Sequence, residues 1–302
     1  MSWALPSPAQ DPRGTIAGRV TDKTDAVVPD LEVRALNQST GVVSVSRTSS
    51  AGDYRIGFLL PGLYTVTAES SGFKKFMREN VEVRVTETVE VSFAMEVGEV
   101  SETVKVTAET PLLVTTDASQ GTVMESLAVS ELPRLGGNPV EFALLDPATM
   151  NETDMREHRA SMTNADSQWS SMGAGAFNNE FQIDGVSNTF ADGSGHARVA
   201  FNPPASSIGQ FKIITNPFDA SAGNTLGATV NVSTKSGTNS LHGEGHYYGR
   251  NNFFDTMDFF SNKNNVPQTV YQDNRYGASL GGPVEIPKLY HGKNRTFFFY
   301  AW

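Results

Sequence analysis

The sequence predicts a mainly β protein made of three consecutive units. Between Thr15 and Met95, short stretches alternate apolar with polar residues and are separated by turn residues. The middle of the chain mixes a few strand-like stretches with Ser-, Gly- and Asn-rich loops and short helical turns, an α+β pattern. From Leu241 onward, ten-residue stretches set small or apolar residues strictly against polar ones.

Bulk properties bound the function. The 302 residues are a soft prior for two or more domains, and 38% hydrophobic with 19% charged residues suggests neither disorder nor a helical membrane bundle. No apolar run approaches the roughly 18 residues a spanning helix needs. Any contact with a bilayer must therefore use strands. A net charge of -10 and a pI near 5.0, with no basic run, argue against nucleic acid as a partner. The chain has no cysteine, which removes disulfides, thiolate zinc sites and cysteine nucleophiles together. Residues 1–13 are expected to be a residual leader, because Met1 to Asp11 resembles the tail of a secretory signal without its charged start. The aromatic run Phe297 to Trp302 predicts that the chain stops inside a strand of a larger domain.

The first unit spans 14–97. Strands are expected at Thr15–Val20, Glu32–Leu36, Val42–Thr48, Tyr54–Phe58, Leu63–Ala68, Glu82–Val85 and Thr88–Phe93. Turns are expected at Ala51-Gly52-Asp53, Pro61-Gly62 and Ser71-Gly72. About seven strands at this spacing make a small β-sandwich. Gly18-Arg19-Val20-Thr21-Asp22, Ala51 to Tyr54, Leu60 to Val66 and Gly72-Phe73 together resemble the carboxypeptidase-regulatory-like domain. The resemblance implies a transthyretin-like fold, grouped with carbohydrate-binding-like sandwiches, in an accessory module without a peptidase site. In that motif Pro61-Gly62 sets a turn that sends Tyr64 and Val66 into the core on one face.

Residues 98–116 read as a linker. Within it Glu102-Thr103-Val104-Lys105-Val106-Thr107-Ala108 is an alternating, β-prone stretch similar to the TonB box of outer-membrane receptors. The resemblance implies docking by β-augmentation, with Glu102, Thr103, Val104, Val106 and Ala108 as its marks and the periplasmic domain of TonB as the partner. The plainer reading is a first strand of the following domain.

The second unit spans 117–237. Short helical turns are expected within Leu127–Leu145, and strands at Phe181–Val186, Phe211–Thr215 and Gly227–Gly237. The sequence Asp184-Gly185-Val186, the Asn202-Pro203-Pro204 turn leading into Phe211-Lys212-Ile213, and Val230 to Asn239 resemble the plug of TonB-dependent receptors, most closely of the Oar-like type. Asp184, Gly185, Gly227, Asn231 and Lys235 are the plug-motif residues that the resemblance implies. The chain departs from the pattern by keeping one glycine before Val230 and by carrying Asp219 to Gly223 where Tyr-Gly is usual.

The third unit spans 238–302. Leu241, Gly243, Gly245, Tyr247 and Gly249 alternate with His242, Glu244, His246, Tyr248 and Arg250. Tyr276, Ala278, Leu280 and Gly282 alternate likewise with Arg275, Gly277, Ser279 and Gly281. A small or apolar face toward lipid and a polar face toward the lumen is what a membrane strand requires, so His242, Glu244, His246 and Arg250 are expected to face the lumen. Arg295 to Trp302 adds an aromatic strand suited to an interfacial girdle. A sheet in lipid must close, and three strands cannot close it, so most of the barrel is expected to lie outside this chain.

Other constellations give no catalytic site. His242 and His246 sit four apart on a strand, roughly 13 Å by the strand rise, too far to share one ion. Their polar character suits the lumen better than a metal site. Isolated His158, His196 and His291 suggest no catalysis, and Asp192 to Gly195 lacks the further ligands of a calcium loop. No nucleophile elbow, phosphate loop or dinucleotide fingerprint occurs. The reading is therefore a non-enzymatic, TonB-dependent outer-membrane receptor without a cofactor. It would be embedded in the lipid bilayer by its barrel, with the sandwich in the periplasm. It would take up a small-molecule or oligosaccharide ligand, with siderophores and peptides also open. Loops 161–179 and 187–200 are the places to look for ligand contact. The alternative is an adhesive or carbohydrate-binding surface protein using Tyr54, Phe58, Tyr64 and Phe73.

Overall fold

A computed structural model describes residues 13–98, 103–106, 120–132, 139–151, 169–175, 178–191, 197–217, 225–254, 256–257, 259–268, 270 and 272–302. Residues 1–12 of the expected leader, His158, His196 and the Asp192 to Gly195 stretch lie outside the described residues, as do Glu102 and Ala108 and most of the loop 161–179.

The first unit is a two-layer sandwich. Its strands are β1 (Gly14–Asp22), β2 (Glu32–Asn37), β3 (Val43–Arg47), β4 (Asp53–Leu59), β5 (Gly62–Ala68), β6 (Lys75–Val83), β7 (Thr88–Glu90) and β8 (Phe93–Met95). One sheet has the order β4-β1-β7, with β8 also pairing β1. Alternation buries Ile16, Val33, Ala35, Ile56, Val66 and Val83 between the layers, with Phe76 and Phe93 stacked at 3.8 Å. Gly62 has φ +150, a conformation that favours glycine, and the turn it makes delivers Tyr64 and Val66 to the core. At Gly18 a Cβ would lie 2.2 Å from the Val91 carbonyl oxygen, so only glycine lets the chain pass there. That passage divides the expected last strand into β7 and β8.

The alternation at Glu82–Val85 predicts a separate strand, but it is the end of the longer β6. A register shift opposite Tyr64/Val66 and a positive φ of 58 at Asn80 break the alternation halfway along, which hides the first half from a period-two reading. Where a linker is expected, residues Thr103–Val106 form β9 and pair in parallel with β6. The second sheet thus runs β3-β2-β5-β6-β9. The outer edge of β6 carries unpaired backbone groups, and the alternating segment satisfies them.

The second unit comprises β10 (Gln120–Glu125), α1 (Ser126–Glu131), a 3-10 turn at Pro139–Leu145, β11 (Thr149–Asn151), β12 (Trp169–Ser171), β13 (Glu180–Ile183), β14 (Val186–Ser187), β15 (Thr189–Ala191), β16 (Ala197–Val199), a second 3-10 turn at Ala205–Ser207, β17 (Ile208–Asn216) and β18 (Thr229–Thr234). Its five-stranded sheet runs β10-β17-β18-β13-β14, with the one parallel pair at β13–β18. Phe181, Phe211, Ile213, Val230 and Val232 line the apolar face and pack on Val129, Val140, Phe142 and Trp169. The opposite face is polar yet buried, with Gln182, Asn231 and Lys212 level across three strands.

The third unit is an antiparallel sheet of β19 (His242–Asn251), β20 (Gln272–Pro283) and β23 (Phe297–Ala301). The short hairpin β21 (Glu285–Ile286) and β22 (Tyr290–His291) joins the last two. The polar stretch between β19 and β20 holds a one-turn helix α2 (Phe259–Lys263).

Candidate functional site

The third sheet has two unlike faces. Register pairs Tyr247 with Tyr276, Gly245 with Ala278, Gly243 with Leu280, and Leu280 in turn with Tyr300. This row points away from the rest of the chain: Tyr247 and Tyr276 are each 65% exposed and Tyr300 is 63% exposed. An exposed, contiguous, aromatic and aliphatic face is costly in water. The inward row pairs His242 with Gly281, Glu244 with Ser279, His246 with Gly277 and Arg250 with Asp273. On β20 the inward row is the more covered one, with Asp273, Arg275 and Gly277 half-buried and Ser279 and Gly281 buried, while Tyr276, Ala278 and Leu280 are exposed. His242, Glu244, His246 and Arg250 share one face of β19, with His246 half-buried and the other three exposed, and Glu244 reaches Lys235 of the second unit.

That inward face meets the second unit at a tight seam. The Lys235 ammonium lies 3.6 Å from the Glu244 carboxylate, and the Lys235 N–H donates to the Ser207 carbonyl at 2.7 Å. At Gly237 a Cβ would lie 2.3 Å from the Phe298 carbonyl oxygen, so the connecting chain runs directly against β23. On the same face the His242 ring stacks on Phe299 at 6.5 Å, and Asp273 holds Arg275 at 2.7 Å. Among the described residues no group of three or more His, Cys, Asp or Glu side chains could hold a metal ion.

The remaining motif residues act structurally. Asp184 (φ 48) and Gly185 (φ 76) form the turn between β13 and β14. The Asp184 carboxylate accepts from the Thr234 N–H at 2.9 Å and from its hydroxyl at 2.7 Å, tying off the end of β18. Gly227 lies against Asn178 and Asn179, where a Cβ would come within 2.6 Å of the Asn179 side-chain oxygen. Asn231 is buried in the polar row of the sheet, and its side-chain oxygen has no partner among the described residues.

Contacts between units are the feature that sequence patterning cannot reach. The Val85 N–H donates to the Gln210 side-chain oxygen at 3.0 Å, and Lys212 donates to the Val85 carbonyl at 3.3 Å and the Thr86 hydroxyl at 3.0 Å. The sandwich is thereby seated on the polar face of the second unit. It also touches the end of the third sheet where β19 begins: the Asn239 N–H donates to the Ser39 carbonyl at 3.1 Å, and Asn239 and Asn294 exchange hydrogen bonds. The aromatic groove of the alternative reading does not form. Tyr54 and Tyr64 are core residues and Phe73 packs against the core, leaving Phe58 exposed under the Arg13 guanidinium. Burial raises the Tyr54 phenol well above its ordinary value, as expected for a hydroxyl that donates to the Val91 carbonyl inside the sandwich.

Comparison with known proteins finds two domain matches in the chain. Residues 15–96 match the carboxypeptidase regulatory-like domain, and residues 233–302 match an outer membrane beta barrel domain. Over 290 residues the chain is 23% identical to the TonB-dependent transporter Oar of Myxococcus xanthus, covering 91% of this chain and 26% of the relative. The chain is a homologue of a TonB-dependent transporter. It spans about a quarter of that relative's length. Among solved structures, the siderophore receptor PirA from Acinetobacter baumannii is similar over 54% of this chain and 22% of its own, at 18% identity and a TM-score of 0.37. The Bacillus anthracis TIE protein is similar over 28% of this chain and 16% of its own, at 19% identity and a TM-score of 0.25. The barrel domain assigns this homologue to the outer membrane. The relative aligned over 290 residues is a transporter, not an enzyme.

Proposed function

We propose that this chain is the front of a TonB-dependent outer-membrane transporter, with the second unit as its plug. The observation that carries the reading is the two-faced third sheet. Its outward row of Tyr247, Tyr276, Leu280 and Tyr300 suits lipid, and its inward row of Glu244, His246, Arg250 and Asp273 suits a polar, plugged lumen. Further strands in the full-length protein close the barrel. The end where β19 begins, β20 ends and the sandwich is docked is the periplasmic one. The long connection between β19 and β20 is extracellular.

TonB takes hold of the segment around Thr103–Val106 by strand pairing and transmits inner-membrane energy to the plug. The ligand is a scarce nutrient such as a siderophore, an oligosaccharide or a peptide. It first meets the extracellular loops and the plug apex. The decisive experiment expresses the full-length gene under nutrient limitation and measures uptake with and without TonB. Uptake that is independent of TonB, or unchanged when Glu102–Ala108 is deleted, rejects the reading.

A further inference from the structure

The segment assigned to TonB is already a strand. In β9 the backbone of Thr103–Val106 pairs with β6 in the register Lys75↔Thr103, Phe76↔Val104, Met77↔Lys105 and Arg78↔Val106. β9 is the last strand in the order β3-β2-β5-β6-β9, so one of its edges is used and the other has no strand beside it among the described residues. A strand offers backbone groups to both sides, and an open edge is a template for another chain. We propose that the sandwich is a presentation platform, which holds the segment extended so that the TonB sheet adds to its outer edge and continues the five-stranded sheet of the sandwich.

The proposal rests on the TonB reading of this segment and adds what the sandwich is for. A free linker must lose backbone freedom before it can pair with a partner. Fixing even one residue in advance is worth about tenfold in affinity. The sandwich supplies that order to four residues of the segment. It also becomes a link in the load path, because a partner on the outer edge of β9 pulls on β6, and the sandwich is in turn hydrogen-bonded to the plug sheet at Gln210 and Lys212.

The test uses the full-length protein carrying Met77→Cys and Lys105→Cys, a level pair in a chain with no native cysteine. Mild oxidation should cross-link the pair, and the cross-linked protein should capture the purified periplasmic domain of TonB at least as well as the reduced form, by up to about tenfold. Hydrogen exchange on the unmodified protein should show the alternate amides of 103–106 that face β6 protected before TonB is added and the intervening ones protected afterwards, with β6 protection unchanged. Failure to cross-link, together with free-chain exchange at 103–106, overturns the seating. Efficient cross-linking with loss of TonB capture, regained on reduction, overturns presentation and means that the strand must leave the sandwich first. TonB capture that survives deletion of Glu102–Ala108 overturns the TonB reading itself, and the cross-link then reports seating alone.

Discussion

Replacing Ala278 by arginine puts a cation near the middle of the 12-residue β20, on its outward face. Its neighbours there are Tyr276 and Leu280, with Gly245 across on one side and Trp302 on the other, and none of these side chains carries a negative charge. A lipid-facing arginine near the bilayer midplane costs about 2–4 kcal/mol, which is roughly a 30- to 1,000-fold loss in the folding equilibrium. His246→Arg is the matched control. It lies level with Gly277, one residue along from the register partner of Ala278, but on the inward, polar face. It should cost under about 1 kcal/mol, the usual range for a surface substitution away from special features. The assay is reversible urea unfolding of the full-length protein in lipid vesicles, followed by tryptophan fluorescence and by the folded-band shift on gels. Equal stability of both variants, or a larger loss for His246→Arg, would refute the assignment of faces and with it the membrane reading of this sheet.

Four further outcomes follow from the contacts. Gly18→Ala sets a Cβ against the Val91 backbone and strains two bonds there, from the Val91 N–H to the Ala17 carbonyl and from the Tyr54 hydroxyl to the Val91 carbonyl. The loss should be about 2–4 kcal/mol, seen as a lower melting temperature of the sandwich transition. Asp184→Ala removes both acceptors of Thr234 and should cost about 1–2 kcal/mol, read as faster exchange of the Thr234 amide. Glu244→Gln should cost no more than about 1 kcal/mol, and less at high salt, because its 3.6 Å pair with Lys235 is partly solvated. Asp22 gives a pH signature: its carboxylate accepts from the Thr24 hydroxyl and N–H, which holds it below its ordinary value of 3.8. A lowered carboxylate stabilises the folded state fully above 3.8 and loses that contribution as acid protonates it below, so Asp22→Asn should flatten the acid limb of the sandwich's pH–stability curve without changing its shape near neutrality.

The legible elements of this fold are those set by local periodicity. Strands β2, β4 and β5 follow from alternation that places Val33, Ile56 and Val66 in one core, and the two unlike rows of β19 and β20 follow from the same alternation. The Asp184-Gly185 turn is legible because both residues tolerate positive φ. Sequence reading fails where a strand bends or where a partner comes from far along the chain. The first half of β6 is masked by its bulge and by charged residues on a half-buried face. The polar residues Gln210 and Lys212 look like solvent-facing positions of a sheet, yet they are buried because another domain, more than a hundred positions earlier, supplies their partners at Val85 and Thr86. The docking of β9 on β6 is hidden for the same reason: alternation announces a strand but does not say which sheet receives it.

The position of β10 carries its own consequence. It is the first described element of the second unit and sits at the border of that sheet, with β17 as its one strand partner among the described residues. A tug passed along the chain from the N-terminal side enters the sheet at this border, and hydrogen bonds along a border can give way singly, like a seam unpicked from its end. The ladder linking β17, β18 and β13, with Phe181, Phe211 and Val230 clenched beneath it, need not break at all. A sheet stitched this way can loosen at its hem and still keep the fabric from which to re-form.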